Sequence, residues 1–113
     1  MNEVTIRSKI RRNYEPIYDD IGFRHVLEEH YDWLYQRSEI QPVDQYNAQR
    51  FRGDFYGYLE SQQIPFSLHW LFLRLNNMVY PSDFNESMPF IIKPKEEDIQ
   101  TLVGQFTMLK SVG

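Results

Sequence analysis

Three histidines, several adjacent acids and one cationic run are the residues of this chain whose types could do chemistry. His25-Val-Leu-Glu-Glu-His30 has the composition of a metal motif. Zinc-binding helices, however, set their two histidines four apart so that both rings leave one face. A separation of five turns the second ring roughly 140° from the first at 3.6 residues per turn. His30 then adjoins the core-facing stripe while His25 leans away, and nothing in the sequence fixes His69 as a third ligand. The pairs Asp19/Asp20, Glu28/Glu29 and Glu96/Glu97 could offer two carboxylates for acid–base work. Adjacent helical residues point about 100° apart, and the first and last pairs already suit helix capping and the helix dipole. No serine sits in a nucleophile elbow, and Gly53-Asp-Phe-Tyr-Gly57 reads as the interior of a helix, not a phosphate loop. No catalytic residue, metal or cofactor is expected.

Arg7, Lys9, Arg11 and Arg12 are the strongest candidates for binding. Residues 3–12 alternate, with Val4, Ile6, Ser8 and Ile10 on one side of an extended chain and Thr5, Arg7, Lys9 and Arg11 on the other. That two-residue period is the mark of a half-buried strand. Its cationic face suits a phosphate backbone, an acidic protein surface, or water alone if the strand is an edge that repels unwanted pairing.

The elements that must position these residues follow from composition and pattern. At 113 residues the chain is one domain, large enough to hide roughly two-thirds of its unfolded surface. Eight Phe, eight Tyr and two Trp imply a core of large rings, or an interface rich in Tyr and Arg. With no cysteine, a disulfide framework, a thiolate zinc site and a Cys nucleophile are excluded. The polar start lacks the apolar run of a secretory leader. A net charge of −4 argues against a general nucleic-acid binder, because such domains are basic.

Asp19 or Asp20 caps a first helix whose core face is Phe23, Val26, Leu27, Tyr31 and Leu34 and which ends near Ser38, before Pro42. Asp44 caps a second, with Ala48, Phe51, Phe55, Tyr58 and Leu59 inward. Gly53 and Gly57 lie four apart on it, each costing ~1 kcal/mol relative to alanine, which implies that another backbone approaches there. Phe90-Ile91-Ile92-Lys93, held between Pro89 and Pro94, is the second strand candidate. It either pairs with the N-terminal strand or recruits one from a partner chain. The last helix starts at Lys95 or Glu96, carries Glu96, Glu97 and Asp98 where the dipole favours acids and Lys110 at the far end, and turns Ile99, Leu102, Val103, Phe106 and Leu109 inward.

Ile64 to Pro81 is the most apolar stretch. A helix over 67–77 would be apolar on nearly every side and must be enclosed, yet at about 11 residues it is too short for a bilayer, which takes ~20. His69 and Arg74 interrupt it. Arg74 is expected to snorkel or to pair with Glu28, Glu29 or Asp83, and Trp70 to anchor the core. The expected fold is mainly α with one or two short strands (α+β), about four helices packed around the central helix 67–77. Residues 1–18 form an arm or strand and residues 19–113 a single helical domain.

The string His69-Trp70-Leu-Phe-Leu-Arg-Leu-Asn76-Asn-Met-Val-Tyr-Pro81 resembles a segment of the baseplate wedge family of T4-type contractile-tailed phages. Those proteins carry an aromatic–Trp, four or five mainly apolar residues, an Asn, a short spacer and a Pro, matched here by Trp70, Asn76 and Pro81. LysM-like small domains share the short apolar helix ending in Asn, the Pro-containing turn and a following strand, to which Phe90-Ile-Ile-Lys-Pro94 is similar. About 30 residues carry the resemblance. The Gly-x-Pro that precedes the aromatic–Trp in the family is replaced by Gln63-Ile64-Pro65-Phe66-Ser67, so no sugar-binding residues carry over. The resemblance implies a non-enzymatic virion structural protein of the tail or baseplate, found in the virion and, before assembly, in the host cytoplasm. Its partners would be other virion proteins, reached by strand addition through the N-terminal arm. Trp70, Asn76 and Pro81, with Arg74 on the same helix, are expected to hold the fold. The rival is a small phage-encoded regulatory protein that binds and inhibits or redirects a host enzyme.

Overall fold

The computed structural model describes residues 16–112. Among them six α-helices, three short 3-10 turns and one two-stranded antiparallel sheet follow in sequence. The α+β architecture expected from the sequence is therefore the one observed, with mainly helical structure around a small ribbon.

A 3-10 turn, Pro16–Asp19, leads into α1 (Ile21–Glu29) and contains the expected boundary at residue 18. Asp20 caps α1, its carboxylate accepting from the Gly22 amide at 2.8 Å. The expected first helix is broken at His30 (φ −103°, ψ 19°) and resumes as α2 (Tyr31–Arg37). The His30 ring lies 2.9 Å from the Val26 carbonyl four residues back, and side-chain intrusion into the helical ladder is a recognised cause of such breaks. Phe23, Leu27 and Leu34 are buried as their spacing requires, while Val26 and Tyr31 pack at the margin.

The second expected helix is also two. Asp44 caps α3 (Gln45–Arg50), accepting from Asn47 N–H at 2.7 Å. Asp54 caps α4 (Phe55–Ser61), accepting from Gly57 N–H at 2.9 Å. Between them Gly53 takes φ +77°, a left-handed conformation that glycine adopts without steric cost, and its N–H donates to the Phe84 carbonyl at 2.7 Å. No backbone crowds it: a Cβ there would meet nothing within 4 Å, and at Gly57 a Cβ would collide only with the Asp54 cap. The backbone approach expected at this pair is therefore not observed; a tight contact is found at Gly22, where side-chain atoms, the Phe106 ring among them, lie 3.1 Å from the position of a Cβ.

The central segment is shorter than expected. A 3-10 turn, Phe66–Leu68, leads into α5 (His69–Leu75), and Asn77 at φ +56° takes the chain out of the helix. His69, Leu71, Phe72 and Leu75 are buried, Trp70 and Leu73 half-buried, and Arg74 exposed. So the helix is enclosed on one broad face, not all round. A third 3-10 turn, Pro81–Asp83, follows.

Phe90–Lys93 is a strand, as expected, but its partner among the described residues is one the sequence pattern does not reveal. Glu39–Pro42 forms β1 and pairs with β2 (Phe90–Lys93) in the register Glu39↔Lys93, Ile40↔Ile92, Gln41↔Ile91 and Pro42↔Phe90. Phe55, Tyr58 and Phe84 form a ring cluster beneath it, with centroids 5.2–6.5 Å apart. The last helix, α6 (Glu96–Val112), packs on α1 through Phe106 against Phe23, centroids 5.7 Å apart. Ile99 and Leu102 are buried and Val103 half-buried, but Leu109 is 67% exposed and not inward. Lys110 reaches back to the Asp20 carboxylate at 2.9 Å.

Candidate functional site

Trp70, Arg74, Asn76 and Pro81 occupy α5 and the turn that follows it. Arg24 lies over the Trp70 ring, 4.3 Å from its centroid, and Arg74 over Tyr31 at 4.4 Å. Two of the three expected carboxylate partners of Arg74 are engaged elsewhere: Glu28 pairs with Arg24, and Asp83 accepts the Val79 and Tyr80 amides. Arg74 is held by a ring face in place of an ion pair, and its own carbonyl accepts the Tyr31 hydroxyl at 3.2 Å. Pro81 opens the 3-10 turn over Pro81–Asp83, where its fixed φ suits a first helical position.

Asn76 does the most. Its Nδ2 donates to the carbonyls of Phe72 (2.8 Å) and Ile92 (2.9 Å), and its Oδ1 accepts the Ile92 amide at 2.6 Å. One side chain thus closes the end of α5 and acts as a neighbouring strand for the outer edge of β2.

That bond pattern fixes the parity of the ribbon. The Ile92 N–H and C=O face Asn76, away from β1, so Ile40·Ile92 is a non-hydrogen-bonded pair, in which both residues turn their backbone groups outward. The Val43 amide donates to the Pro89 carbonyl at 2.9 Å, which gives the same parity from the other end. Ile40 therefore presents its N–H and C=O at the free edge of β1, and no described residue bonds them. Pro42, next on that edge, offers a carbonyl and no N–H.

Side chains alternate with the same parity. Gln41 and Ile91 face inward: Ile91 is buried, and Gln41 Nε2 donates to the Tyr58 hydroxyl at 3.1 Å. Burial pushes the Tyr58 hydroxyl up from its ordinary value, against that hydrogen bond. Ile40, Pro42, Phe90 and Ile92 share the outer face, with Ile40 66% and Phe90 47% exposed. All four are apolar. This outer face and the edge beside it form the candidate interaction surface.

Two cavities of about 400 and 410 Å³ flank the Pro16–Asp19 turn and share Tyr18. The second brings Asp19, Ser67 and His69 together, but not as a catalytic relay. The Ser67 hydroxyl donates to Asp19, not to the histidine. His69 is 3% exposed and its Nε2 lies 3.0 Å from the Ile64 carbonyl. Since a carbonyl only accepts, Nε2 carries the proton and Nδ1 is an acceptor, buried without a partner. Burial pushes the imidazole below its ordinary value, against the opposing pull of the Ile64 carbonyl and Glu60. His25 is exposed on α1, away from the half-buried His30. Among the described residues no three or more of His, Cys, Asp and Glu converge to hold a metal, and no helix is long and apolar enough to cross a membrane.

The cationic positions Arg7, Lys9, Arg11 and Arg12 lie outside the described residues. No family model matches the chain, and no curated protein or solved structure is found similar to it.

The sequence pattern missed Ile40 and Pro42. The only local signal was a single β-branched residue, Ile40, close before a proline in Glu39-Ile-Gln-Pro42, and its strand character depends on Phe90–Lys93 some fifty residues later.

Proposed function

We propose that the protein is a non-enzymatic structural subunit that docks into a larger assembly through the outer face of the β1–β2 ribbon. The assembly implied by the Trp70, Asn76 and Pro81 pattern is a phage tail or baseplate. The observation that supports this reading is the outer face itself. Ile40, Pro42, Phe90 and Ile92 stand together on it with no polar side chain among them, next to backbone groups left open. On a solitary domain such a strand edge invites unwanted association. On a subunit it is the surface that assembly covers.

The test is mass spectrometry of purified tailed-phage particles from cells that produce the protein, with the wild type compared with an Ile40→Glu/Phe90→Glu double variant. Both changes fall on exposed positions, so circular dichroism should show the variant folded. The wild type is expected in the particle at a fixed copy number and the variant is expected to be lost from it. Absence of the wild type from the particles removes the structural reading, and retention of a host enzyme by the free protein would then favour the regulatory one.

A further inference from the structure

Among the described residues no strand covers the outward edge of β1, and its two faces specify what a third strand there must look like. On the outer face the neighbours are Ile40 and Pro42, backed by Ile92 and Phe90. On the inner face the neighbours are Glu39 and Gln41. Glu39 is exposed, and the nearby Asp44 is close enough for its charge to act on the Tyr58 hydroxyl. A strand completing this sheet should turn apolar residues to one side and cations to the other, since opposite charges on neighbouring strands attract and like charges repel.

This chain contains such a segment. Val4, Ile6 and Ile10 alternate with Arg7, Lys9 and Arg11. The charge balance favours the same match. Four of the twelve Lys and Arg and two of the sixteen Asp and Glu precede residue 16, leaving residues 16–113 with eight cations against fourteen anions. A segment of net charge +2 is thus carried by a domain of −6.

We propose that residues 4–10 of a second copy add to the free edge of β1 as a third strand, and that two copies exchange these segments around a two-fold axis. This deepens the assembly reading above and rests on it. The Ile40 N–H donates to a carbonyl of the incoming strand, and the Ile40 and Pro42 carbonyls accept from its amides. Val4 and Ile6 extend the apolar outer face, and Arg7 and Lys9 meet Glu39 and Asp44. A second copy fits better than the same chain. The Pro16–Asp19 turn lies on the β2 side of the ribbon, where Tyr18 shares a cavity with Lys93, Pro94 and Phe72, whereas the open edge is on the β1 side. Reciprocal exchange also satisfies both edges at once and closes the assembly, as an isologous interface must.

The experiment uses the full chain. Sedimentation gives the association state across protein concentration, and amide hydrogen exchange reads the Ile40 N–H under the same conditions. A dimer is expected, with Ile40 exchange slowing at least tenfold as the dimer fills and association weakening as salt rises. Ile40→Pro removes the outward N–H without touching the β1–β2 ladder, a position where an edge strand tolerates proline, and should weaken the dimer at least tenfold. Should that variant fail to fold by circular dichroism, Arg7→Glu/Lys9→Glu leaves the described domain unaltered and should weaken it comparably. A monomer at all concentrations with fast Ile40 exchange overturns the proposal, as does a dimer indifferent to the charge reversal. Protection of Ile40 that is independent of concentration assigns the edge to the chain's own arm and overturns the second copy as occupant. None of these outcomes bears on whether the protein is found in particles, so failure here and failure of the assembly reading remain distinguishable.

Discussion

Replacing Asn76 is the most direct probe of how this fold is held. In Asn76→Ala the Phe72 carbonyl keeps a partner, because the Asn76 backbone amide still donates to it at 3.1 Å. Ile92 is different: its N–H and C=O both lose the side chain that satisfied them. A backbone group orphaned out of reach of water costs about 1–3 kcal/mol. Ile92 is only half-buried, so water recovers part of this, and each group is counted near the lower end. The expected loss is about 2–3 kcal/mol, a large fraction of the roughly 5–15 kcal/mol that holds a domain together. At about 4–8 °C per kcal/mol for a domain of this size, the melting temperature falls by roughly 10–20 °C.

Asn76→Asp separates hydrogen bonding from packing. Aspartate keeps an acceptor for the Ile92 amide but, when ionised, sets a negative charge against the Phe72 and Ile92 carbonyls. At pH 7 the order should be Asn, then Ala, then Asp, with Asp recovering as the carboxylate is protonated. Urea unfolding followed by the fluorescence of Trp33 and Trp70 measures this, the midpoint moving while the slope stays constant. An Ala variant within about 1 kcal/mol of wild type, well below the orphaning cost, refutes the reasoning. So does an Asp variant as stable as Asn at pH 7.

Two further expectations follow from single residues. Gly53→Ala should destabilise by about 1–2 kcal/mol, the cost of a left-handed conformation for a residue with a Cβ, because the site is open and only φ +77° is at stake. Gly53→Asn should recover part of that in the same urea assay, and an alanine variant of unchanged stability would show the conformation to be unimportant. The buried His69 should make stability fall with acid. Its folded value lies below its ordinary 6.5, so the unfolded chain binds the proton first. Stability is complete above about pH 6.5 and declines below it by at most about 1.4 kcal/mol per pH unit until the folded value is passed. His69→Gln keeps a side-chain donor and cannot titrate, so its urea midpoint should vary less between pH 7 and pH 5 than that of the wild type; equal slopes would exclude His69 as the cause.

Much of the fold was legible because its signals are local. The Phe23, Leu27 and Leu34 spacing, the Asp20 and Asp44 caps, the start of α6 at Glu96 and the strand between Pro89 and Pro94 each depend on residues within one or two turns. The helix breaks at His30 and Gly53 were not, because the three/four spacing of core-facing residues runs unbroken across them: Leu27, Tyr31 and Leu34 in one case, Ala48, Phe51, Phe55 and Tyr58 in the other. A loop that preserves phase is invisible to periodicity. In hindsight Gly53-Asp54 carries the signal, a residue suited to stop a helix followed by one suited to start another. Leu109 was misplaced because periodicity continues beyond the contact of Phe106 with Phe23 near the start of α1, where no described residue buries it. The ring partner of Arg74 and the strand partner of Phe90–Lys93 are both set by tertiary structure, which no window of sequence contains.

The chemistry of the β1 edge limits how the protein can associate. Only one outward N–H, at Ile40, and two outward carbonyls are offered, because Pro42 removes the second donor. A long open strand would pair with almost any other, but this one ends in a proline, which is how natural sheets restrain their edges. The excess of acids over residues 16–113 adds a second restraint, since two such domains repel when their surfaces meet without a bridging cation. The outer face nonetheless keeps Ile40 and Phe90 exposed, where a charge would have been the simpler protection. A surface guarded in its backbone and its net charge, yet left apolar where a strand would lie, is chemically suited to an extended partner that brings cations with it.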